Sequence, residues 1–430
     1  MNIRYTGIVK AGLLVSILII IMILVNNINI YYNSKSSDSI DLSDMSVAVV
    51  CSDCESIERV LRGLGLRNIA VINRVYGDLA RDFGALFILD DSLAKIYERD
   101  VSDYLVRGGV VIALRDVYLD TLKDILSSRG TIFPVIHNTT AYIVRFFGFE
   151  EHLSRNLTAV VGVSLKNLES RDGMIELLKW VKRAKLYETQ VIRIGRIVIS
   201  ENATTPEIKI TINSTPPTST TPKILTLRPE PGVYDLSWVV IGYVSWTSGD
   251  SWKPYGKLSI EHAIYRLIED PYPDIDWFIV KAVTEGVPGK VVWGEESYLE
   301  DLWNYYYLKY YTSIYELRDY DPSSYVNPVT VSVELGTDVA AIVSWTYPGN
   351  YINRIDCYSD FHLDRAAWWH DIAGAGVTIK IEPGFEFTVS PVQTGMQRWE
   401  ISAQWILNQW WGLIKQPFKG VLIVELTLYY

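Results

Sequence analysis

Cys51-Ser52-Asp53-Cys54 is the sharpest short motif in the chain. Two thiols at this spacing can close a local disulfide, or a helix start beside them can turn one into a ready nucleophile. On the oxidising side of a membrane the pair reads as a disulfide. Two small residues buried at the end of a strand are the plain alternative. A second concentration of ligand-type side chains is Cys357, Asp360, His362, Asp364, His370 and Asp371. Carboxylates in such a group suit calcium or another hard cation, and histidine with cysteine suits zinc. His362, Asp364, His370 and Asp371 are therefore candidate metal ligands. Their spacing matches no standard ligand pattern, so surface charge flanking Trp368-Trp369 is the competing reading. Glu295, Glu296 and Glu300 could supply a pair of acids of the kind that cleaves glycosidic bonds, but spacing alone does not fix their separation. No residue earns a catalytic assignment, and no cofactor is expected.

Four sequons, at Asn138, Asn156, Asn202 and Asn213, offer N-glycosylation sites within one stretch of the chain. A net charge of −10 argues against nucleic acid as a partner, because that affinity rests on cationic neutralisation of phosphates. Three cysteines cannot build a disulfide framework. The scarcity of Gln and abundance of Ile, Tyr and Glu resemble, by composition, cell-surface proteins of heat-loving archaea.

Location follows from the run from Ala11 to Val25, which holds no charge and no proline. With its neighbours it approaches the roughly 20 residues needed to cross a bilayer as a helix. Arg4 and Lys10 precede it, and Asp38, Asp41 and Asp44 follow. Positive-inside bias then predicts a single-pass anchor with a cytoplasmic N-terminus and an extracellular chain. No Ala-x-Ala site follows the run, which argues against a cleaved secretory signal. Lys10-Ala11-Gly12 resembles the processing site of type IV prepilins, which would imply a pilus-like subunit. The expected organisation is a cytoplasmic tip and anchor (1–32), a stalk (33–45), an α/β domain (46–214), a Thr/Pro linker (215–223) and a β-rich domain (224–430). Residues 141–214 could form a separate subdomain.

Residues 46–50, 68–73, 85–90 and 110–114 are apolar throughout, and amphipathic helices at 55–66, 93–109 and 117–130 alternate with them. That alternation predicts a parallel sheet covered on both faces. ALFILDDS followed by DVSDYLVRGGVVIAL resembles the flavodoxin-like sheet of class I glutamine-amidotransferase-like domains, especially the ThuA-like group. Catalytic members of that family carry a cysteine on a sharp turn after a strand. Here Leu114-Arg115-Asp116 follows the fourth strand, so the resemblance implies a non-catalytic copy. Strand, Cys-x-x-Cys, helix is also the local order of thioredoxin-like proteins, but no proline precedes Pro134 to serve as their cis-proline.

Beyond 215–223 the composition shifts. Of 14 tryptophans, only Trp180 comes earlier. Alternating segments predict a Trp/Tyr-rich β-sandwich, with inserted helices at 258–270 and 298–317. The aromatic excess fits a sandwich core, a carbohydrate-binding face or an assembly surface. The expected function is a membrane-anchored extracellular glycoprotein with a structural, adhesion or recognition role, its partners being other surface proteins or glycans. An extracellular hydrolase with its site in the C-terminal domain is the alternative.

Overall fold

The computed structural model describes residues 42–90, 98–150, 155–201, 230–289, 296–308, 315–335, 341–390, 394–409 and 412–429. Met1–Asp44 and Met45–Tyr430 are two compact units. The architecture below is that of the second.

This unit begins with β1 (Ser46–Val50), α1 (Glu55–Gly63), β2 (Asn68–Ile72), β3 (Ala85–Ile88), α2 (Glu98–Val106), β4 (Val110–Leu114) and α3 (Arg115–Ser128). The four strands are parallel, in the order β2-β1-β3-β4. Val47 to Val50 are wholly buried, as in a strand covered on both sides. Each helix buries one stripe: Ile57 and Leu61 on α1, Val101, Tyr104 and Leu105 on α2, and Tyr118, Leu122, Ile125 and Leu126 on α3.

This sheet does not close there. β5 (Phe133–Ile136) leaves it, and β6 (Ala141–Glu150) returns antiparallel to β4. β7 (Arg155–Val163) pairs with β6, and α4 (Arg171–Leu186) follows, capped by Ser170, whose hydroxyl accepts from Gly173 N at 3.1 Å. β8 (Val191–Ile199) and then β9 (Gly232–Thr247) continue the sheet, β9 running parallel to β7. β10 (Gly256–Ile268), β11 (Asp276–Lys281) and β12 (Thr284–Pro288) extend it further.

The remaining described elements are strands: β13 (Glu296–Tyr307), β14 (Tyr315–Asp321), β15 (Val329–Leu335), β16 (Ala341–Tyr347), β17 (Ile352–Cys357), β18 (Arg365–Ala375), β19 (Ile379–Ile381), β20 (Gly384–Val389), β21 (Thr394–Gln409) and β22 (Ile414–Tyr429). The large sheet has the path β14-β20-β11-β10-β9-β7-β6-β4-β3-β1-β2, with β8, β12 and β19 beside it. The second sheet has the order β17-β18-β13-β21-β22-β5, and β15 and β16 form a hairpin of their own. β5, from the N-terminal half, closes the second sheet against the last strand, with Ile136 opposite Val424. Arg155 adds a bond from Nη1 to the Tyr429 carbonyl at 2.8 Å.

The expected fold class is corrected accordingly. A self-contained flavodoxin-like domain followed by a β-sandwich with inserted helices is not what forms. The four parallel strands are one end of a largely antiparallel sheet that residues 46–199 and 232–389 build together. Residues 258–268 of the first expected helix lie in the strand β10, and 298–307 and 315–317 of the second lie in the strands β13 and β14. Their Ile and Tyr content favours extended backbone, and Leu258, Ile260, His262 and Ile264 alternate inward as readily as they follow a helical spacing.

The anchor from Ala11 to Val25, the stalk through residue 41 and the 215–223 linker lie outside the described residues. Among the described residues no helix is long and apolar enough to cross a membrane. The longest is α4, with 16 residues and several lysines and arginines. No described element supplies the membrane-spanning helix on which the signal-anchor reading and the single-pass location rested.

Candidate functional site

Four places hold side chains that could act. The first is a cleft of about 300 Å³ at the carboxyl ends of β1 and β3, closed by the start of α3. Open α/β sheets bind ligands at such an end, where the chain departs in opposite directions from adjacent strands. Cys51, Ser52, Asp53, Leu89, Asp90, Asp116 and Val117 line it. Cys51 and Cys54 are joined in a disulfide, so neither sulfur is a free nucleophile here. The cleft offers carboxylates and a disulfide, with no histidine among the described residues that line it.

The second is the expected metal cluster, which the fold takes apart. His362 stands exposed on a turn, its backbone N–H donating to Asp360 Oδ1 at 2.8 Å. Asp364 is buried, has a left-handed backbone (φ 48°) and accepts from Leu317 N at 3.2 Å. His370 points into the core, where the Tyr347 hydroxyl lies 3.1 Å from its Nε2. Asp371, the next residue on β18, faces the other way, as neighbours on a strand must. Among the described residues no three His, Cys, Asp or Glu side chains are placed to hold a metal ion. Cys357 Sγ donates to Ser359 Oγ at 3.3 Å, and Glu300 accepts from Gln404 Nε2 at 2.6 Å. Glu295 lies outside the described residues.

The third escaped the sequence reading. Between the sheets, Asn304 Nδ2 donates to Thr284 Oγ1 at 2.8 Å and to the Tyr306 hydroxyl at 2.9 Å, and Tyr306 lies 2.8 Å from His262 Nε2. All four residues are wholly buried. Burial pushes His262 and His370 down to about 3, so both are neutral at pH 7. The only hint in the sequence was the inward parity of His262 on β10. The network resembles an acid–base relay but has no contact with solvent, and it serves packing.

The fourth is the outward face of the second sheet. β13 alternates, with Leu302, Asn304 and Tyr306 inward and Trp303, Tyr305 and Tyr307 outward. Trp303 stands opposite Trp369 of β18. Its ring lies 5.6 Å from that of Trp369 and 5.8 Å from that of Tyr358, with planes within 27° and 17°. Arg354 covers Trp369 at 4.8 Å, Lys419 covers Trp303 at 5.9 Å, and Arg365 covers Tyr305 at 5.5 Å. Asp301, Asp356 and Asp371 border the rings. Desolvation, with Glu300 beside it, pushes Asp301 up to about 6, while Lys419 and the Trp369 indole N–H pull the other way.

Of the sequons, Asn138 is exposed on a turn with φ 59°. Asn156 is only 7% exposed, within β7, which leaves no room for a glycan and corrects that site. Asn202 and Asn213 lie outside the described residues.

No protein-family model matches the chain, and no curated protein matches it. Among solved structures it is similar to a "Pore forming protein", at 10% identity over 49% of this chain and 96% of that one, with a TM-score of 0.31. It is also similar to the membrane-inserted form of the Clostridium perfringens NetB toxin, at 9% identity over 44% and 97%, with a TM-score of 0.25. Likeness of this degree assigns no activity.

Proposed function

We propose that this protein is a non-catalytic recognition protein and that the outward face of its second sheet binds carbohydrate. The near-parallel group of Trp303, Trp369 and Tyr358 carries this reading. Aromatic faces pack against the C–H faces of sugar rings, and the charged side chains around them suit sugar hydroxyls. Trp303 and Trp369 stand on the paired strands β13 and β18, which hold them more firmly than loops would, and Tyr358 follows the end of β17. The reading places no reaction at the strand-end cleft, whose two cysteines are spent on each other.

The test is titration of neutral and acidic oligosaccharides into the protein, followed by tryptophan fluorescence and calorimetry. Binding that weakens about tenfold or more in Trp303→Ala and Trp369→Ala, at unchanged far-UV spectra, would support it. Saturable binding that both variants retain, or no binding across the panel, would refute it.

A further inference from the structure

The outward face of the second sheet continues past the aromatic rings. Strand register sets Asp356, Trp369, Trp303, Ser402 and Val421 in one row across β17, β18, β13, β21 and β22. The next row holds Tyr358, Ala367, Tyr305, Glu400 and Ile423; Tyr358 enters it through its N–H, which donates to the Ala367 carbonyl at 2.9 Å. Alternation fixes the direction of these side chains. Trp368, Tyr306, Ile401 and Leu422, their neighbours along the strands, are wholly buried on the inward side. Val421 and Ile423 are half-buried, so apolar surface extends two strands beyond β13.

The flanking rows are polar. One side is bounded by Asp371, Asp301 and Gln404, the other by Arg365, Tyr307 and Arg398. The face is thus a largely apolar strip that crosses the strands, with hydrogen-bonding groups along both of its long sides. Adjacent strands lie about 4.8 Å apart, so a strip over these strands is about 19 Å long. It does not turn along β13, because Tyr307 stands between Arg365 and Arg398, its register partners on either side.

We infer that this strip takes an internal stretch of a linear oligosaccharide, laid across the strands. The inference rests on the carbohydrate reading and adds the form of the ligand. A pyranose ring advances a linear chain by about 5 Å, close to one strand spacing, so about four successive sugars meet successive strands. Their C–H faces lie on Trp369, Trp303 and Val421, and their hydroxyls reach the polar groups on both sides. Arg354 and Lys419, exposed side chains that fold onto the two indoles, turn to sugar hydroxyls when a chain takes their place. A single terminal sugar is held by a concave site that covers most of its surface, and a sheet face gives a floor without walls.

The test measures affinity against chain length on the full chain, by calorimetry with cello-, chito- and manno-oligosaccharides from disaccharide to hexasaccharide. The expected result is a gain of about a hundredfold from disaccharide to tetrasaccharide, with little more beyond it. Val421→Ser with Ile423→Ser should weaken hexasaccharide binding about tenfold and leave disaccharide binding unchanged, which also reports an intact fold. Equal affinity at every length would overturn the inference and leave the carbohydrate reading standing. A length gain that survives this double variant and disappears in Tyr307→Ala would overturn it too, since the chain would then run along β13. No binding at any length would refute the carbohydrate reading, and the inference with it.

Discussion

The Tyr306 hydroxyl meets His262 Nε2 at 2.8 Å and so ties β13 of one sheet to β10 of the other, in a layer that water does not reach. Tyr306 accepts from Asn304, and the imidazole tautomer sets which partner donates between Tyr306 and His262. His262→Leu would leave the Tyr306 hydroxyl buried without that partner, at a cost of about 1–3 kcal/mol at neutral pH. The pH dependence identifies the cause. Burial holds the folded imidazole at about 3, against about 6.5 in the unfolded chain, so the unfolded state binds the extra proton between those values. The contribution of His262 is complete above pH 6.5 and is lost as pH falls. Urea denaturation at pH 7.5 and pH 5 should show the advantage of wild type over His262→Leu shrinking by about 2 kcal/mol. A constant advantage would mean that the ring is not held neutral.

Asp270 runs the opposite way. Burial pushes its carboxyl up to about 7, with Asp276 adding to the rise, while Arg266 and a 2.9 Å bond from Tyr272 N hold it down. The folded state keeps this proton above the unfolded value. Its stabilising effect is full below about pH 4 and fades as pH rises through 7. Asp270→Asn keeps the oxygen that Tyr272 uses and cannot ionise. The variant should match wild type near pH 4 and exceed it at pH 8 by about 1–2 kcal/mol, allowing for partial solvation. Thermal denaturation at the two pH values checks this. A variant that gains nothing at pH 8 would show the carboxylate to be adequately solvated.

Local pattern carried part of this structure into the sequence, and long-range pairing carried the rest. The strands at 46–50, 85–88 and 110–114 were legible because uninterrupted Val, Ile, Leu and Phe leave few alternatives to a buried strand. β13 was not, since EDLWNYYYLKYY presents aromatics at both periods and only its pairing with β18 and β21 decides between them. The same pairing created the Trp303–Trp369 face, from residues 66 positions apart that no local motif links. The metal cluster failed for the converse reason. Its members are close in sequence, but a strand turns His370 and Asp371 to opposite faces and a turn carries His362 into solvent. The sequence left the Cys51–Cys54 pair open between a disulfide and two small buried residues, and so short a separation permits either.

Gly109, which leads into β4, is fixed by a ring rather than by its backbone angle. A Cβ there would lie 2.1 Å from Cε1 of Tyr104, whose wholly buried ring is held by its hydroxyl bond to the Phe83 carbonyl at 2.8 Å. That ring cannot retreat without breaking the bond. Gly109→Ala should cost about 1–3 kcal/mol through forced repacking. Gly376→Ala, where a Cβ meets nothing within 4 Å, is the matched control and should stay within about 0.5 kcal/mol of wild type. Urea midpoints of the two variants provide the comparison, and equal midpoints would show that the Tyr104 region yields freely.

The disulfide makes a prediction about reactivity as well as stability. Denatured without reductant, the protein should take up one alkyl group, at Cys357; after reduction it should take up three, as read by intact mass. Closing so short a loop constrains the unfolded chain little, so Cys51→Ser with Cys54→Ser should lower stability by about 2 kcal/mol. Redox-active pairs at helix starts alkylate fast because their surroundings favour the thiolate. Here Asp53, Asp90 and Asp116 line the cleft with Cys51, and Glu55 and Glu58 occupy the first turn of α1. These carboxylates work against the helix start, which favours negative charge beside Cys54. Once reduced under native conditions, these thiols should react with iodoacetamide no faster than a free cysteine at pH 7. Rapid alkylation of Cys51 would contradict this and would make the cleft a redox centre after all.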